Sequence, residues 1–157
     1  MLALVFDAMI LQQCRDVAGT RQHAEEGVSL ATELALGPWL AWGTALRGWA
    51  IAAEGRTEEG IADLRQAVAG WTAAGVGGLR PYFLALLAEV YTKAGQRDRA
   101  LATLAEAFEV TEQTREGYVH IGSRANCWPI PLRLRPPLKS PSRLPGARKR
   151  SPSSFEP

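Results

Sequence analysis

The residues of this chain that could carry out chemistry are few and widely separated. A phosphate-binding loop needs a glycine-rich turn that ends in Gly-Lys-Ser or Gly-Lys-Thr before a helix, but no lysine follows Gly75-Val-Gly-Gly. This segment is better interpreted as a flexible loop. The two histidines, His23 and His120, have no second metal ligand at a useful spacing. The sequence therefore predicts no nucleotide site, no metal site and no cofactor.

Acidic pairs and cysteines are the other groups that could act in catalysis. Glu25-Glu26 and Glu58-Glu59 are adjacent pairs, and adjacent residues occupy different parts of a helix surface. We interpret them as solvated charges at helix starts and not as an acid–base couple. Cys14 has no identifiable histidine partner or basic setting that would make it reactive. Together with Cys127 it also provides no disulfide framework, so we predict that the chain is not an enzyme.

Charge and proline content divide the chain into two parts. Residues 1–118 hold 10 Lys+Arg and 15 Asp+Glu, whereas residues 119–157 hold 8 and 1. Only Pro38 and Pro81 lie in the first part, and the other eight prolines follow Trp128. A change of composition this sharp indicates a domain boundary. We predict a helical domain over residues 1–116 and a disordered, basic and proline-rich tail over residues 117–157.

Glycines separate segments of helix length at Gly19, Gly37, Gly55, Gly75 and Gly95. The segments have about 15–18 residues each, with apolar positions three and four apart, as is typical of amphipathic helices. No segment alternates strictly, so we expect no strand. The predicted helices cover Leu2 to Val17, Thr20 (as N-cap) to Gly37, Pro38 to Glu54, Thr57 to Ala73, Pro81 to Ala94, and a sixth that Gln96 or Asp98 caps and that ends near Glu112.

The predicted helices repeat in pairs when Gly55 and Gly95 are aligned. Small residues at shared offsets would allow two helices to touch, and large apolar residues would fill the space between pairs. The shared positions are Gly48 and Ala88, Ile51 and Tyr91, Gly60 and Ala100, Leu64 and Leu104, and Ala67 and Ala107. The same offsets from Gly19 give Ala24, Val28 and Ala31, although Gly19 lies closer to Gly55 in sequence than Gly55 does to Gly95.

This order of small, aromatic and alanine positions resembles the tetratricopeptide repeat. Two further segments, Gly37-Pro-Trp-Leu-Ala-Trp-Gly-Thr-Ala-Leu-Arg-Gly-Trp-Ala and Arg80-Pro-Tyr-Phe-Leu-Ala-Leu-Leu-Ala-Glu-Val-Tyr, resemble the C-terminal repeat region of large bacterial signalling proteins. Those proteins join a class III adenylate/guanylate cyclase or DNA-binding domain to a signal-transducing NTPase and then to such repeats. The resemblance implies an all-α, tetratricopeptide-like α-solenoid of about three antiparallel helix pairs. It carries over no catalytic residue, because the catalytic domains lie upstream.

The resemblance also implies a concave groove that is lined by the first helix of each pair. Aromatic side chains with a few charges suit recognition of a protein or peptide partner. Packing in the core or between repeats is the alternative that we favour for the tryptophans, because a tryptophan at helical spacing is more often buried. The candidate groove residues are Trp42, Trp49, Tyr82, Glu89, Thr92 and Lys93.

The tail offers a second kind of function. Its basic charge could bind nucleic acid or an anionic membrane without sequence specificity, and Pro136-Pro-Leu-Lys-Ser-Pro could be a proline-helix ligand. Out-of-frame origin is the interpretation that we favour. One permitted back-translation of residues 119–128, read from its third base, gives Ala-Tyr-Arg-Leu-Thr-Gly-Glu-Leu-Leu, which resembles the next helix of the family. The chain would then be a truncated fragment.

The remaining expectations concern location and association. No apolar run reaches the roughly 18 residues of a membrane span, and the first ten residues lack the basic leader and cleavage site of a signal peptide. We therefore expect a cytoplasmic protein. The sixth helix has no following repeat to cover its apolar face, so self-association through Leu101, Leu104, Phe108 and Val110 is expected.

Overall fold

The computed structural model describes residues 2–76 and 78–114, and within them the chain is all-α. No strand occurs among these residues, so the predicted fold class is confirmed at this level. The predicted tail, residues 117–157, and the frame hypothesis attached to it lie outside the described residues. The six described helices are α1 (Leu2–Gln13), α2 (Val17–Glu33), α3 (Gly37–Ala53), α4 (Thr57–Ala73), α5 (Arg80–Lys93) and α6 (Arg97–Thr114).

The start of α2 differs from the sequence prediction. Asp16, and not Thr20, is the N-cap: its carboxylate accepts a hydrogen bond from the backbone nitrogen of Gly19 at 3.0 Å. Thr20 is buried in the first turn, where its hydroxyl donates to the Asp16 carbonyl. A Cβ on Gly19 would lie 2.6 Å from the Asp16 carboxylate. Gly19 is therefore a helical residue that leaves room for the cap, and not a turn residue.

Left-handed backbone marks the helix ends at equal intervals along the chain. Positive φ angles occur at Arg15, Ala35, Gly55, Gly75 and Gly95, among others. After four of them, at Arg15, Ala35, Gly55 and Gly95, the next residue donates a backbone hydrogen bond to a carbonyl five positions earlier, which is the Schellman closure of a helix. The turn at Arg15 is therefore as far from Gly55 in sequence as Gly55 is from Gly95, and the shorter first spacing that we predicted from Gly19 was wrong.

Taking Gly19 and not Arg15 as the first turn shifted the predicted alignment of the first helix pair by about one helical turn. Arg15 occupies the position of Gly55 and Gly95, although a left-handed conformation costs a non-glycine residue about 1–2 kcal/mol. The predicted offsets from Gly19 fell on the same helix face, because Gly19 and Arg15 differ by close to one turn of helix. In the observed register, the residues that match the second-helix positions of the later pairs are Thr20, Ala24 and Gly27, in place of Ala24, Val28 and Ala31.

Small residues allow close helix contacts at positions where the repeat pattern predicted them. A Cβ on Gly48 of α3 would lie 2.9 Å from the carbonyl oxygen of Gly60 on α4, and a Cβ on Gly60 would lie 2.4 Å from that of Gly48. The two backbones therefore touch at this crossing. Ala88 and Ala100, at the same positions of the third pair, are 2% and 4% exposed.

The helices pack in chain order. Each helix packs against the next one, and in addition α1 contacts α3 and α3 contacts α5. An aromatic path runs along this arrangement: Phe6 meets Trp42 at 4.9 Å between ring centroids, Trp42 meets Trp71 at 6.3 Å, and Trp71 meets Phe83 at 5.2 Å. The core therefore continues from α1 to α5 without a break. None of the described helices is long and apolar enough to cross a bilayer.

Candidate functional site

Side chains from α3, from α5 and from the turn after α1 meet at one carboxylate, that of Glu89. Glu89 of α5 accepts from the indole nitrogen of Trp49 on α3 at 3.2 Å. Its other oxygen lies 2.6 Å from Nη1 of Arg15, in the turn after α1, and 3.2 Å from Nζ of Lys93. We call Arg15, Trp49, Glu89 and Lys93 the Trp49 cluster. The cluster ties α1, α3 and α5 together on the face that these helices share.

The cations of the cluster also lie against the indole ring. The Arg15 guanidinium carbon is 5.6 Å from the Trp49 ring centroid, and the Lys93 ammonium is 5.8 Å from it. Both distances allow cation–π attraction. The Glu89 side chain is only 12% exposed, but donors from three residues compensate its loss of hydration. The exposed part of the cluster is thus formed mainly by the side chains of Arg15 and Lys93, which are 33% and 46% exposed.

A second link between α1 and α5 lies beside the cluster. The Tyr82 hydroxyl donates to Oε1 of Gln12 at 2.8 Å, and Gln12 is 1% exposed. Burial is the main cause that raises the pKa of the Tyr82 phenol; the nearby charge of Glu89 adds to the rise, and the charge of Arg15 opposes it. The phenol therefore stays neutral and serves as a hydrogen-bond donor, so it holds the end of α1 against α5.

Trp42 lies in a different environment from Trp49, although both are on α3. Its ring stacks on Trp39 at 5.7 Å and meets Phe6 and Trp71 edge to face. It is 6% exposed, and its indole nitrogen has no hydrogen-bond partner among the described residues. This surrounding is that of a core residue, which was the alternative that the sequence favoured for the tryptophans.

The structure brings only some of the predicted groove residues together. Trp49, Glu89 and Lys93 form the cluster, and Tyr82 lies beside it. Thr92 is exposed and donates its hydroxyl to the Ala88 carbonyl at 2.8 Å. Burial of both tryptophan rings, with Trp49 at 1% exposure, leaves little aromatic surface for a partner. A role of these residues in binding stays a prediction.

Two residues of the site were missed in the sequence. Gln12 is in the last turn of α1 and Arg15 is in the turn that follows. Because the sequence prediction began α2 at Thr20, it did not place a turn at Arg15. The signal that identifies Arg15 is its spacing: Arg15 is as far from Gly55 in sequence as Gly55 is from Gly95. No three His, Cys, Asp or Glu side chains within the described part of the chain lie close enough to hold a metal ion.

In comparison with known proteins, the chain matches no protein-family model, no curated protein and no solved structure.

Proposed function

We propose that residues 1–116 are a non-catalytic helical-repeat module that binds a protein or peptide partner on the shared face of α1, α3 and α5. The equal spacing of the turns and the packing of helices in chain order support a tetratricopeptide-like α-solenoid. The small residues at the Gly48–Gly60 crossing support the same architecture. A stack of this kind offers a long surface that is built from equivalent positions.

The Trp49 cluster is the observation that carries the binding proposal. Glu89 fixes Arg15 and Lys93 over one buried ring, so the two cations are ordered before a partner arrives. Ordered side chains lose less conformational entropy on binding than free ones do. One carboxylate between two cations leaves a net positive charge, which favours a partner segment with an acidic group.

The cellular role that we propose is regulatory. The resemblance of α3 and α5 to the repeats of modular bacterial signalling proteins supports a cytoplasmic fragment of such a protein. Genomic DNA tests this part: one base over, the sequence after the codon for Tyr118 should continue as repeat sequence that begins near Tyr-Arg-Leu. A shifted frame that is broken by early stops contradicts the fragment proposal.

Peptide selection tests the binding site. A random-peptide display library is panned on the full chain, and enriched peptides are synthesised for titration. We expect acidic peptides whose affinity falls at least several-fold in Lys93→Ala. The matched control is Arg65→Ala, which removes an exposed cation from α4.

Two results would contradict the binding proposal. One is enrichment of no peptide above background on the full chain. The other is an equal loss of affinity in Lys93→Ala and Arg65→Ala, because this would show that overall charge and not the Trp49 cluster attracts the peptide. Circular dichroism melting of both variants establishes that each chain is folded.

A further inference from the structure

The first and last helices, α1 and α6, each present one side of a helix–helix contact (a joint) that occurs twice inside the chain. Within the chain, α2 packs against α3 and α4 packs against α5. These joints are one repeat apart, in register with the turns at Arg15, Gly55 and Gly95. By the same spacing, α1 corresponds to α3 and α5, and α6 corresponds to α2 and α4.

The side of α1 that corresponds to the covered sides of α3 and α5 is open. Leu46 and Ala50 of α3 are 0% exposed, as are Leu86 and Val90 of α5. The matching residues of α1 are Phe6 and Ile10, which are 40% and 56% exposed. Ala3, which matches Gly43 and Phe83, is exposed as well. We call Ala3, Phe6 and Ile10 the leading face.

The side of α6 that corresponds to the covering sides of α2 and α4 is also open. Ile61 and Leu64 of α4 are 5% and 0% exposed. At the matching positions of α6, Leu101 is 44% exposed and Leu104 is half-buried. Phe108, which matches Val68, is 41% exposed. We call Leu101, Leu104 and Phe108 the trailing face. The expected exposure of the sixth helix is thus observed at Leu101 and Phe108.

The internal joints show how these faces would fit. A Cβ on Gly43 of α3 would lie 3.0 Å from Cγ2 of Val28 on α2 and 3.4 Å from its backbone nitrogen. In a contact between two copies, Phe108 of one chain would take the place of Val28, and Ala3 of the other chain would take the place of Gly43. A small residue again faces a larger apolar one, and the six residues that define the two faces are all apolar.

We propose that copies of this chain associate end to end, with the trailing face of one copy on the leading face of the next. A second copy is the occupant because it supplies the same helix face that covers α3 and α5 within the chain. The contact is heterologous, so each copy keeps one free face and the assembly grows as an open chain. The proposal is independent of the Trp49 cluster.

Sedimentation of the full chain tests the proposal. We expect the weight-average mass of the wild type to rise with concentration beyond that of a dimer. Ile10→Asp and Phe108→Asp should each remain monomeric, because each variant loses one face. A mixture of the two variants should form a dimer and nothing larger, since only the trailing face of the first and the leading face of the second are intact.

A control and a second measurement make the test specific. Leu34→Asp changes a residue that is 56% exposed in the turn before α3, and it should associate as the wild type does. Chains with Ala3→Cys or with Phe108→Cys, both lacking the native Cys14 and Cys127, should cross-link on oxidation when mixed, because the equivalent residues Gly43 and Val28 are in contact within the chain. Ala62→Cys, on the exposed side of α4, should cross-link far more slowly with Phe108→Cys.

Three results would overturn the proposal. A wild type that is monomeric at all concentrations shows that something in the chain covers the trailing face. Association that persists in Ile10→Asp shows a symmetric contact between trailing faces. A mixture of Ile10→Asp and Phe108→Asp that stays monomeric shows that the two faces do not bind each other.

Discussion

Arg15 and Glu89 form an ion pair across 74 positions of sequence, with Nη1 of the arginine 2.6 Å from Oε1 of the glutamate. The arginine is in the turn after α1, and the glutamate is on α5. Together with the hydrogen bond from Tyr82 to Gln12, this pair joins the first and third helix pairs directly, across the face of α3. Contacts between non-neighbouring helix pairs therefore hold α1 and α5 together, and Trp49 lies against both Arg15 and Glu89.

Removing the Glu89 carboxylate should destabilise the protein more than removing a surface carboxylate. In Glu89→Ala, the buried indole nitrogen of Trp49 loses its acceptor and Arg15 loses its ion pair. We expect the free energy of unfolding to fall by about 1–3 kcal/mol. Glu106→Ala breaks the pair with Arg80, where the glutamate is 46% exposed, and should cost under about 1 kcal/mol. Urea unfolding that is followed by tryptophan fluorescence measures both, and equal losses would contradict the prediction.

Two glycines on α4 should respond to alanine with opposite signs. In Gly60→Ala, the new methyl group would lie 2.4 Å from the Gly48 carbonyl oxygen, so the α3–α4 crossing must open. We expect a loss of about 1–3 kcal/mol. In Gly70→Ala, the nearest atom is Cβ of Ala41 at 3.6 Å, and better helix propensity should raise stability by about 0.5–1 kcal/mol. Thermal melting separates the two, and a stable Gly60→Ala would show that the crossing is not tight.

Local signals in the sequence predicted the six helices but misplaced the turns after α1 and α2. The left-handed residue after α2 is Ala35, and Gly37, which was predicted to end that helix, is the first residue of α3. The bounds of α4 match the prediction, because Thr57 with the following glutamates marks its start and a glycine follows its end. The turn after α1 has Arg15 where the turns after α3 and α5 have glycine, so the glycine pattern does not mark it. The Asp16 cap and an ion pair to a residue 74 positions away fix that turn. The distant contact leaves no local pattern.

The candidate site was predictable only in part for a related reason. Helical spacing puts Trp42 and Trp49 on one face of α3, and both side chains are buried in the structure. Their surroundings depend on α1, which supplies Phe6 to one ring and Arg15 to the other. Because these neighbours come from another helix pair, the different environments of the two tryptophans could not be derived from their spacing.

Two left-handed residues should respond differently to glycine. Ala35 has φ 53° and is exposed, so Ala35→Gly relieves backbone strain and should raise stability by up to about 1 kcal/mol. Arg15 has φ 62°, but Arg15→Gly also removes the ion pair to Glu89 and the contact with Trp49. We expect a net loss for Arg15→Gly, measured by urea unfolding. A gain in both variants would show that the Arg15–Glu89 pair contributes little in solution.

The hydrogen bond between Tyr82 and Gln12 should make stability depend on alkaline pH. Burial raises the pKa of Tyr82 above its value in the unfolded chain, which is about 10. The stabilisation from the neutral phenol is therefore complete below about pH 10 and is lost as pH rises towards the folded-state pKa. Tyr82→Phe lacks this titration and leaves the buried Gln12 oxygen unpaired, which should cost about 1–3 kcal/mol at neutral pH.

The test is a pH series of urea unfolding for the wild type and Tyr82→Phe. The wild type should be more stable at neutral pH, and its advantage should shrink above about pH 10, because its unfolded state gains the phenolate and its folded state does not. Subtracting the two curves removes the titration of every group that both chains share. Parallel curves across the alkaline range would show that Tyr82 ionises as freely in the folded protein as in the unfolded chain. The contact that joins α1 to α5 would then not depend on its proton.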